Sequence, residues 1–247
     1  MKILITSDLH IMSIKDINLK LSFLERMREL DDPDVIVLAG DIFESNFIYK
    51  KNPYKELSKL FPDIPVICTL GNHEFVDHTV DSVKEKYTKK YDPDTYDVHY
   101  LDICGSKVID DVNFVGNVLW YDGSMKQYKG QNIYDWGNGC WLDKRIVGFD
   151  YEMENHNCVT QIKENIKDDL TNVLVTHCLP HKDLNGHIEG ELSAFSGMKN
   201  LLKDINVEYS ICGHTHKKVI GLEREGCYCV NVGNDYYPPF EYFLLEI

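Results

Sequence analysis

The chain has 247 residues, with 26 Lys plus Arg against 40 Asp plus Glu for a formal net charge of −14; 43% of the residues are hydrophobic and 11% aromatic. That length and apolar content suit one large α/β domain with a buried core and exclude intrinsic disorder. The acidic balance argues against a protein that grips nucleic acid or an anionic membrane through a basic face, while leaving open a small phosphate ligand held by cations.

Lys2 to Thr6 reads as a buried strand. Ile14, Ile17, Leu21, Leu24 and Met27 recur at helical spacing and predict an amphipathic helix over about 14–30. Val35 to Ala39 is a second strand, Tyr54 to Phe61 a short helix, Pro65 to Leu70 a third strand and Asp77 to Lys90 a charged helix. This alternation implies parallel strands joined by right-handed crossovers. The apolar runs are strand-length, far below the ~20 residues of a membrane span. The opening segment lacks the long apolar region of a secretory signal, so a cytoplasmic protein with no membrane partner is expected.

Val98 to Leu101, Ser106 to Ile109 and Asn113 to Leu119 look like short antiparallel strands. From Tyr121 to about His156 no period is sustained, and Trp136, Trp141 and four glycines fall there. This stretch reads as a lid or substrate-loop insert at about 121–156, with some helix of its own, within a single domain of 1–247. Trp120, Tyr121, Trp136 and Trp141 either pack the insert onto the body or stack a base or aromatic leaving group. Val159 to Leu170 and Met198 to Ile205 read as helices; Val173 to Thr176, Glu208 to Cys212, Val219 to Glu223, Cys227 to Val232 and Tyr242 to Glu246 read as strands. The eight cysteines are scattered without a CxxC pair and are expected as reduced, buried thiols.

Five of these strands run into residues of metal-ligand type: Ser7-Asp8-Leu9-His10, Gly40-Asp41, Gly71-Asn72-His73-Glu74, Thr176-His177 and Gly213-His214-Thr215-His216. α/β sheets place ligands at strand ends. Any one triplet arises by chance, but five in order would crowd carboxylates and imidazoles at one sheet edge, which is costly unless cations compensate. Oxygen and nitrogen donors without thiolate suit Mn²⁺, Fe or Zn²⁺. No GxxxxGK phosphate loop is present, and Gly137-Asn138-Gly139 lacks the context of a dinucleotide loop.

The ordered set DxH…GD…GNHE…H…GHTH, spanning Asp8 to His216, resembles the calcineurin-like metallophosphoesterases. The resemblance implies a four-layer α/β-β-α sandwich of two mixed sheets flanked by helices, with a binuclear centre between the sheets. It implies Asp8, His10 and His216 on one metal, Asn72, His177 and His214 on the other, and Asp41 bridging both. The cofactors are then two divalent ions, Mn²⁺ first, with Fe or Zn²⁺ as alternatives. His73 is implied as a proton donor facing the substrate rather than a ligand, and Glu44 as the acidic group that orients it. The implied reaction is hydrolysis of a small phosphomonoester or phosphodiester through a metal-bridged hydroxide.

Departures from the family pattern narrow the activity. The run Gly40-Asp41-Ile42-Phe43-Glu44-Ser45-Asn46 lacks the arginine of the GDxxDRG protein phosphatases, which disfavours a phosphoprotein substrate. A nuclease acting on single-stranded or terminal nucleic acid is the alternative, opposed by the acidic charge. A non-catalytic protein-binding scaffold of the same fold is a third, opposed by the complete ligand set. His181 reads as a surface residue, with an approach to the phosphate from the substrate loop as the alternative, and Tyr236, Tyr237 and Phe240 read as core or rim.

Overall fold

Alternation of side chains along the first strands separates two apolar layers. The computed structural model describes residues 1–11, 17–125, 142–186 and 195–247. Strands β1 (Lys2–Thr6), β2 (Val35–Ala39), β3 (Val66–Thr69), β4 (Val98–Tyr100) and β11 (Phe243–Glu246) form one sheet in the order β11-β1-β2-β3-β4. Only β11 runs antiparallel to its neighbour. Strands β5 (Ser106–Ile109), β6 (Val112–Asn117), β7 (Thr171–Thr176), β8 (Tyr209–Cys212), β9 (Lys218–Arg224) and β10 (Cys227–Val232) form the second, in the order β5-β6-β7-β8-β10-β9. Its central strands are parallel, and β5 and β9 close it antiparallel at the edges.

Ile3, Ile5, Val35, Val37 and Ile67 meet Phe114, Val173, Val175, Ile211 and Val230 in a cluster shared by the two sheets. Leu4, Ile36, Leu38 and Cys68 belong instead to the cluster of Phe23, Leu24 and Met27 of α1 (Ile17–Asp31), Tyr54 and Leu57 of α3 (Pro53–Leu60) and Val83 and Tyr87 of α4 (Val80–Lys90). The short helices α2 (Phe47–Lys50) and α5 (Leu101–Cys104) fill the connections that follow β2 and β4. On the second sheet, Val115 and Leu174 share that cluster with Cys158 and Ile162 of α6 (Tyr151–Asn165). Helix, sheet, sheet, helix is the four-layer sandwich expected. Both faces of β1, β2 and β3 are covered, which is why these strands read as unbroken apolar runs. Burial of each of these Val or Ile side chains is worth about 1.5–3 kcal/mol relative to exposure.

Helix starts follow their caps. Asn52 accepts from Tyr54 N at 3.1 Å with Pro53 in the first helical position, Thr79 accepts from Ser82 N at 3.1 Å, and Asp150 accepts from Met153 N at 3.1 Å. The Asp150 cap starts α6 eight residues before the expected Val159, and the helix ends at Asn165, short of Leu170.

Two sequence expectations change here. Val98–Tyr100 pairs parallel with β3, because α4 is a full crossover that returns the chain in the same direction; only β5 and β6 form an antiparallel hairpin there. The segment from Met198 is not a continuous helix. Its backbone bonds across to 179–182, through Met198 N to Leu179 O at 2.9 Å and Leu201 N to Pro180 O at 2.8 Å, leaving one 3₁₀ turn at Leu202–Asp204. A 3₁₀ turn at Leu142–Arg145 and the first turns of α6 fall inside the 121–156 stretch. Residues 126–141, with Trp136, Trp141 and Gly137-Asn138-Gly139, lie outside the described residues, as do Ile14 and the rest of 12–16. Among the described residues no helix is long and apolar enough to cross a membrane, and the described cysteines are unbridged.

Candidate metal centre

All five motif segments leave the carboxyl ends of parallel strands: those after β1, β2 and β3 from one sheet, those after β7 and β8 from the other. The chain must turn sharply there to aim side chains back over the strand ends. Asp8, His10, Asp41, His214 and His216 accordingly adopt left-handed backbone conformations, with φ of 55°, 43°, 51°, 71° and 53°. Each such residue costs of order 1 kcal/mol or more, and such strain concentrates where surrounding structure over-determines a functional geometry. Gly40, at φ 85°, precedes Asp41, and a Cβ there would collide with the His177 imidazole. No residue with a side chain fits that contact.

The backbone turns are cross-tied. His10 N donates to Asp41 O at 2.8 Å and Asp8 N to Gly40 O at 3.1 Å. His214 N donates to both Asp8 carboxylate oxygens at 3.0 Å, and His73 N donates to Asp41 Oδ1 at 3.0 Å. Buried Glu74 accepts from Ile42 N, Phe43 N and Gly71 N at 3.1, 3.0 and 2.9 Å, fastening the Asp41 loop to the Asn72 loop.

The side chains form two overlapping groups. His216 Nε2 lies 3.7 Å from Asp8 Oδ1, with His10 in the same cluster. His177 Nε2 lies 3.1 Å from Asn72 Oδ1 and 3.2 Å from His214 Nδ1. Asp41 Oδ2 stands between the groups, 3.6 Å from His10 Nε2 and 3.4 Å from His177 Nε2. Clusters of Asp and His able to hold metal ions are thus assembled: Asp8, His10 and His216; Asp8, Asp41 and His177; and His10, Asp41 and His73. His73 Nε2 comes within 3.9 Å of Asp41 Oδ2, so proximity alone would admit it as a ligand. Its side chain also keeps 16% exposure, unlike the wholly buried His10 and His177.

Tautomers follow from the outer bonds. His177 Nδ1–H donates to Ala39 O at 2.9 Å, so Nε2 presents a lone pair; His214 Nε2–H donates to Phe195 O at 2.9 Å, so Nδ1 does the same. Two lone pairs and the Asn72 carbonyl oxygen then converge, an arrangement relieved by a cation or, without one, by a proton. The electrostatics agree. Burial opposes charge on His177, but Asp41 outweighs it and lifts the imidazole to about 10; burial and the His177 charge push His214 down to about 4. Burial likewise opposes charge on His73, yet Asp41 and Glu44 raise it to about 9. Burial would raise Glu44, but its bonds to His10 and His73 bring it to about 2.

Glu44 does more than the sequence implied. Its carboxylate bridges two imidazoles, Oε1 at 3.3 Å from His10 Nδ1 and Oε2 at 3.4 Å from His73 Nδ1. Four supporting residues escaped sequence reasoning. Asp143, 2% exposed, accepts from Asn72 Nδ2 at 2.8 Å. Ser7 Oγ donates to Asp8 Oδ2 at 2.5 Å. Lys20 is buried and donates to the carbonyls of Leu9 and His10, burial lowering its ammonium to about 8 against the pull of Glu44. Tyr236 lays its ring 4.7 Å from the His10 ring and 4.8 Å from that of His216. Ser7 alone stands in a motif run, beside Asp8, and was within reach of the sequence; the other three lie at no motif spacing.

Trp120 and Tyr121 are buried against Phe75, Phe149 and Phe195 and pack the body rather than stack a ligand. His181 is not a surface residue. It is 5% exposed, because its ring caps the turn at Lys182–Asn185, accepting from Asp183 N at 3.2 Å, and the 195–201 segment pairs beside it. A separate depression of about 1030 Å³, lined by Glu208, Glu223, Glu225 and Glu246 with Arg224, opens at the opposite ends of the strands; its negative charge disfavours a phosphate ligand.

The family model described as calcineurin-like phosphoesterase matches residues 1–218. Among solved structures, a phosphopantetheinyl hydrolase from Mycobacterium tuberculosis is similar in fold, with a TM-score of 0.73 and 18% identity, over 95% of this chain and 89% of that one. The TT1561 protein of Thermus thermophilus is similar with a TM-score of 0.51 and 15% identity, over 94% and 89%. GAP50, the anchor in the inner membrane complex of Plasmodium, is similar with a TM-score of 0.52 and 13% identity, over 94% and 71%. No curated protein matches the chain.

Proposed function

Because this chain belongs to the calcineurin-like phosphoesterase family, hydrolases of phosphoric ester bonds, we propose that it hydrolyses a small phosphomonoester or phosphodiester with two divalent metal ions. The observation that carries the reading is the facing pair of lone pairs on His177 and His214, 3.2 Å apart, with Asn72 Oδ1 3.1 Å from one of them. That donor set fits a divalent cation of intermediate hardness, and Mn²⁺ is the first choice, before Fe or Zn²⁺.

Asp8, His10 and His216 would hold one ion and Asn72, His177 and His214 the other, with Asp41 shared, as its position between His10 and His177 supports. The ions supply Lewis acidity, lowering the pKa of a water and countering charge on the phosphoryl oxygens.

The chain's own residues do the rest. Asp41 Oδ1 is committed to His73 N, leaving Oδ2 directed at the imidazoles. His73, protonated at neutral pH, donates Nδ1–H to Glu44, which leaves Nε2–H, 3.9 Å from Asp41 Oδ2, as its second donor. Water that has given a proton to solvent attacks phosphorus as the ester P–O bond breaks, the Nε2 proton passes to the departing oxygen, and His73 takes a proton back from solvent. Buried Asp8 and Asp41 carry less charge than two divalent ions supply, so the pocket is positive inside an acidic surface, which selects a small anion over a long one.

The test is hydrolysis of p-nitrophenyl phosphate and its bis ester by the Mn²⁺-loaded chain, with and without EDTA. Metal-dependent turnover of either supports the reading. Binding of two equivalents of metal without turnover of either ester sinks it.

A further inference from the structure

The Asn72 side chain can present either its oxygen or its amide nitrogen to the candidate centre, and only the oxygen can bind a cation. Something must therefore fix the amide. In the structure Nδ2 donates to Asp143 Oδ1 at 2.8 Å, which turns Oδ1 toward His177 Nε2 at 3.1 Å. Asp143 is 2% exposed, and its other oxygen accepts from the hydroxyl of buried Tyr121 at 3.2 Å.

We infer that Asp143 is a positioning residue for the metal site of Asn72, His177 and His214: it sets the orientation of the Asn72 amide and places a buried negative charge behind that site. The inference rests on the metallophosphoesterase reading proposed above.

Charge balance points the same way. Asp8 belongs to the site of His10 and His216, which also has Glu44 behind it, through His10 Nδ1 at 3.3 Å. The site of Asn72, His177 and His214 has only neutral side chains of its own and shares Asp41. Asp143 is the carboxylate that accepts from the Asn72 amide, as Glu44 contacts His10 of the other set, while Asp8 reaches His214 N and clusters with Asp41 and His177. Carboxylates that hydrogen-bond a ligand from outside raise its basicity and fix its geometry, and losing one typically weakens metal binding about 10–100-fold.

The scaffold around Asp143 is built to hold it. Ile146 N donates to Asp143 O at 3.0 Å, Asp77 N to Arg145 O at 3.0 Å and Val147 N to His78 O at 2.9 Å, laying the turn at Leu142–Arg145 along the chain that follows Asn72. Arg145 and Asp77 add a two-point ion pair, with Nε to Oδ1 at 2.9 Å. Tyr121 and Asp143 both belong to the stretch of about 121–156 read from sequence as an insert. Tyr121 and Asn72 therefore meet at the same carboxylate.

The geometry specifies a reciprocal test. In Asp143→Asn the buried charge is lost, and the 143 amide can turn either its oxygen or its NH₂ to Asn72, because the Tyr121 hydroxyl accepts as well as donates; the Asn72 oxygen is then no longer held toward the metal by a group that can only accept. Exchanging the two residues, Asn72→Asp with Asp143→Asn, restores one donor, one acceptor and an oxygen facing the centre, at unchanged total charge. Metal content and affinity are measured by titrating the EDTA-stripped chain with Zn²⁺ against a chromophoric chelator, with thermal unfolding of the stripped protein as the fold control.

Two equivalents are expected for the wild type. Asp143→Asn should weaken one of them about 10–100-fold and lower kcat, the exchanged pair should recover most of both, and Tyr121→Phe should fall between wild type and Asp143→Asn. Two tight equivalents in Asp143→Asn, or no recovery in a folded exchanged pair, overturns the positioning role while leaving the phosphoesterase reading intact. A wild type that binds no divalent ion overturns that reading, and this inference with it. If Asp143→Asn fails to fold, the exchanged pair against Tyr121→Phe still decides: a folded pair that binds only one ion contradicts the inference.

Discussion

Nε2 of His177 and Nδ1 of His214 face each other at 3.2 Å, each ring having committed its other nitrogen to a backbone carbonyl, of Ala39 and Phe195. In the metal-free chain a proton relieves that pair: against burial, Asp41 raises His177 to about 10, while burial and the His177 charge lower His214 to about 4. A cation binding there displaces the proton, so metal affinity should rise with pH.

The stability of the metal-free chain should move the other way. His177 and His73 have folded-state values, about 10 and about 9, above the ordinary 6.5. A group whose folded value is raised contributes stability that is complete below its unfolded value and is lost as pH climbs through the folded one. EDTA-stripped protein should therefore lose thermal stability from about pH 6.5 to about 10, while the gain in Tm on adding Zn²⁺ grows over the same range. Calorimetric titration in two buffers of different ionisation enthalpy should register proton release. A metal-free Tm that is flat or rising across that window contradicts the assignment.

His73→Ala should separate chemistry from binding. The side chain is the proposed proton donor, and positioned general acids contribute about 10²–10⁴-fold. The variant should keep two equivalents of metal and lose turnover by about that factor, more for an alkyl ester than for p-nitrophenyl phosphate, whose leaving group needs little protonation. The 3.9 Å approach of His73 Nε2 to Asp41 Oδ2 leaves the competing role of ligand open to test. Loss of one metal equivalent in His73→Ala would assign it that role.

Glu44→Gln tests the bridge between His10 and His73. Glu44 contributes to holding His73 protonated, so its neutral amide should lower the His73 value and draw the alkaline limb of the kcat profile to lower pH. Because Glu44 also touches His10 Nδ1, at 3.3 Å, metal affinity should fall as well, about 10-fold or more. An unchanged alkaline limb would remove Glu44 from the proton-transfer role and leave it behind His10 alone.

The strands were legible because β1, β2 and β3 are buried on both faces and so carry apolar runs that end in a change of chemistry. The same abrupt change, Thr6 to Asp8 or Ala39 to Asp41, marks both where the sheet stops and where the centre begins. What escaped was set by tertiary contact. Asp143 meets Asn72 across 71 positions of sequence, and no period or motif connects them. The segment after Met198 has helical composition but is claimed by pairing with Leu179 and His181, an interaction that local propensity cannot register. His181 looked like surface because nothing local shows that its ring caps the turn at Lys182–Asn185.

Gly40→Ala should be severe for its size. The position has φ 85° and a Cβ would run into the His177 ring. Left-handed strain alone costs about 1–2 kcal/mol, and the displaced imidazole adds to it. The chain should lose roughly 2 kcal/mol or more by denaturant unfolding and bind the second metal poorly. Gly226→Ala is the control, because it too has a positive φ, of 79°, but nothing lies within 4 Å of its Cβ. It should lose stability by the strain alone and bind two metals. Equal losses in the two variants would mean that His177 yields freely and that the close approach at Gly40 has no functional weight.

Tyr236 supplies the last contrast. Its ring lies against both His10 and His216, with centroids at 4.7 and 4.8 Å, and contacts neither His177 nor His214 among the described ring pairs. Aromatic pairs of this kind are worth about 0.5–1.5 kcal/mol beyond burial, and here that energy holds two imidazoles in register for one site. Tyr236→Ala should therefore weaken the Asp8, His10 and His216 site several-fold and spare the other. An Asn72→Ala background, in which the Asp8, His10 and His216 set remains complete, isolates the effect in a Zn²⁺ titration, and Tyr236→Phe should restore the affinity because stacking needs the ring and not the hydroxyl. Equal weakening of both sites would place Tyr236 in general support of the loops, and no weakening would make it only a wall of the substrate entrance.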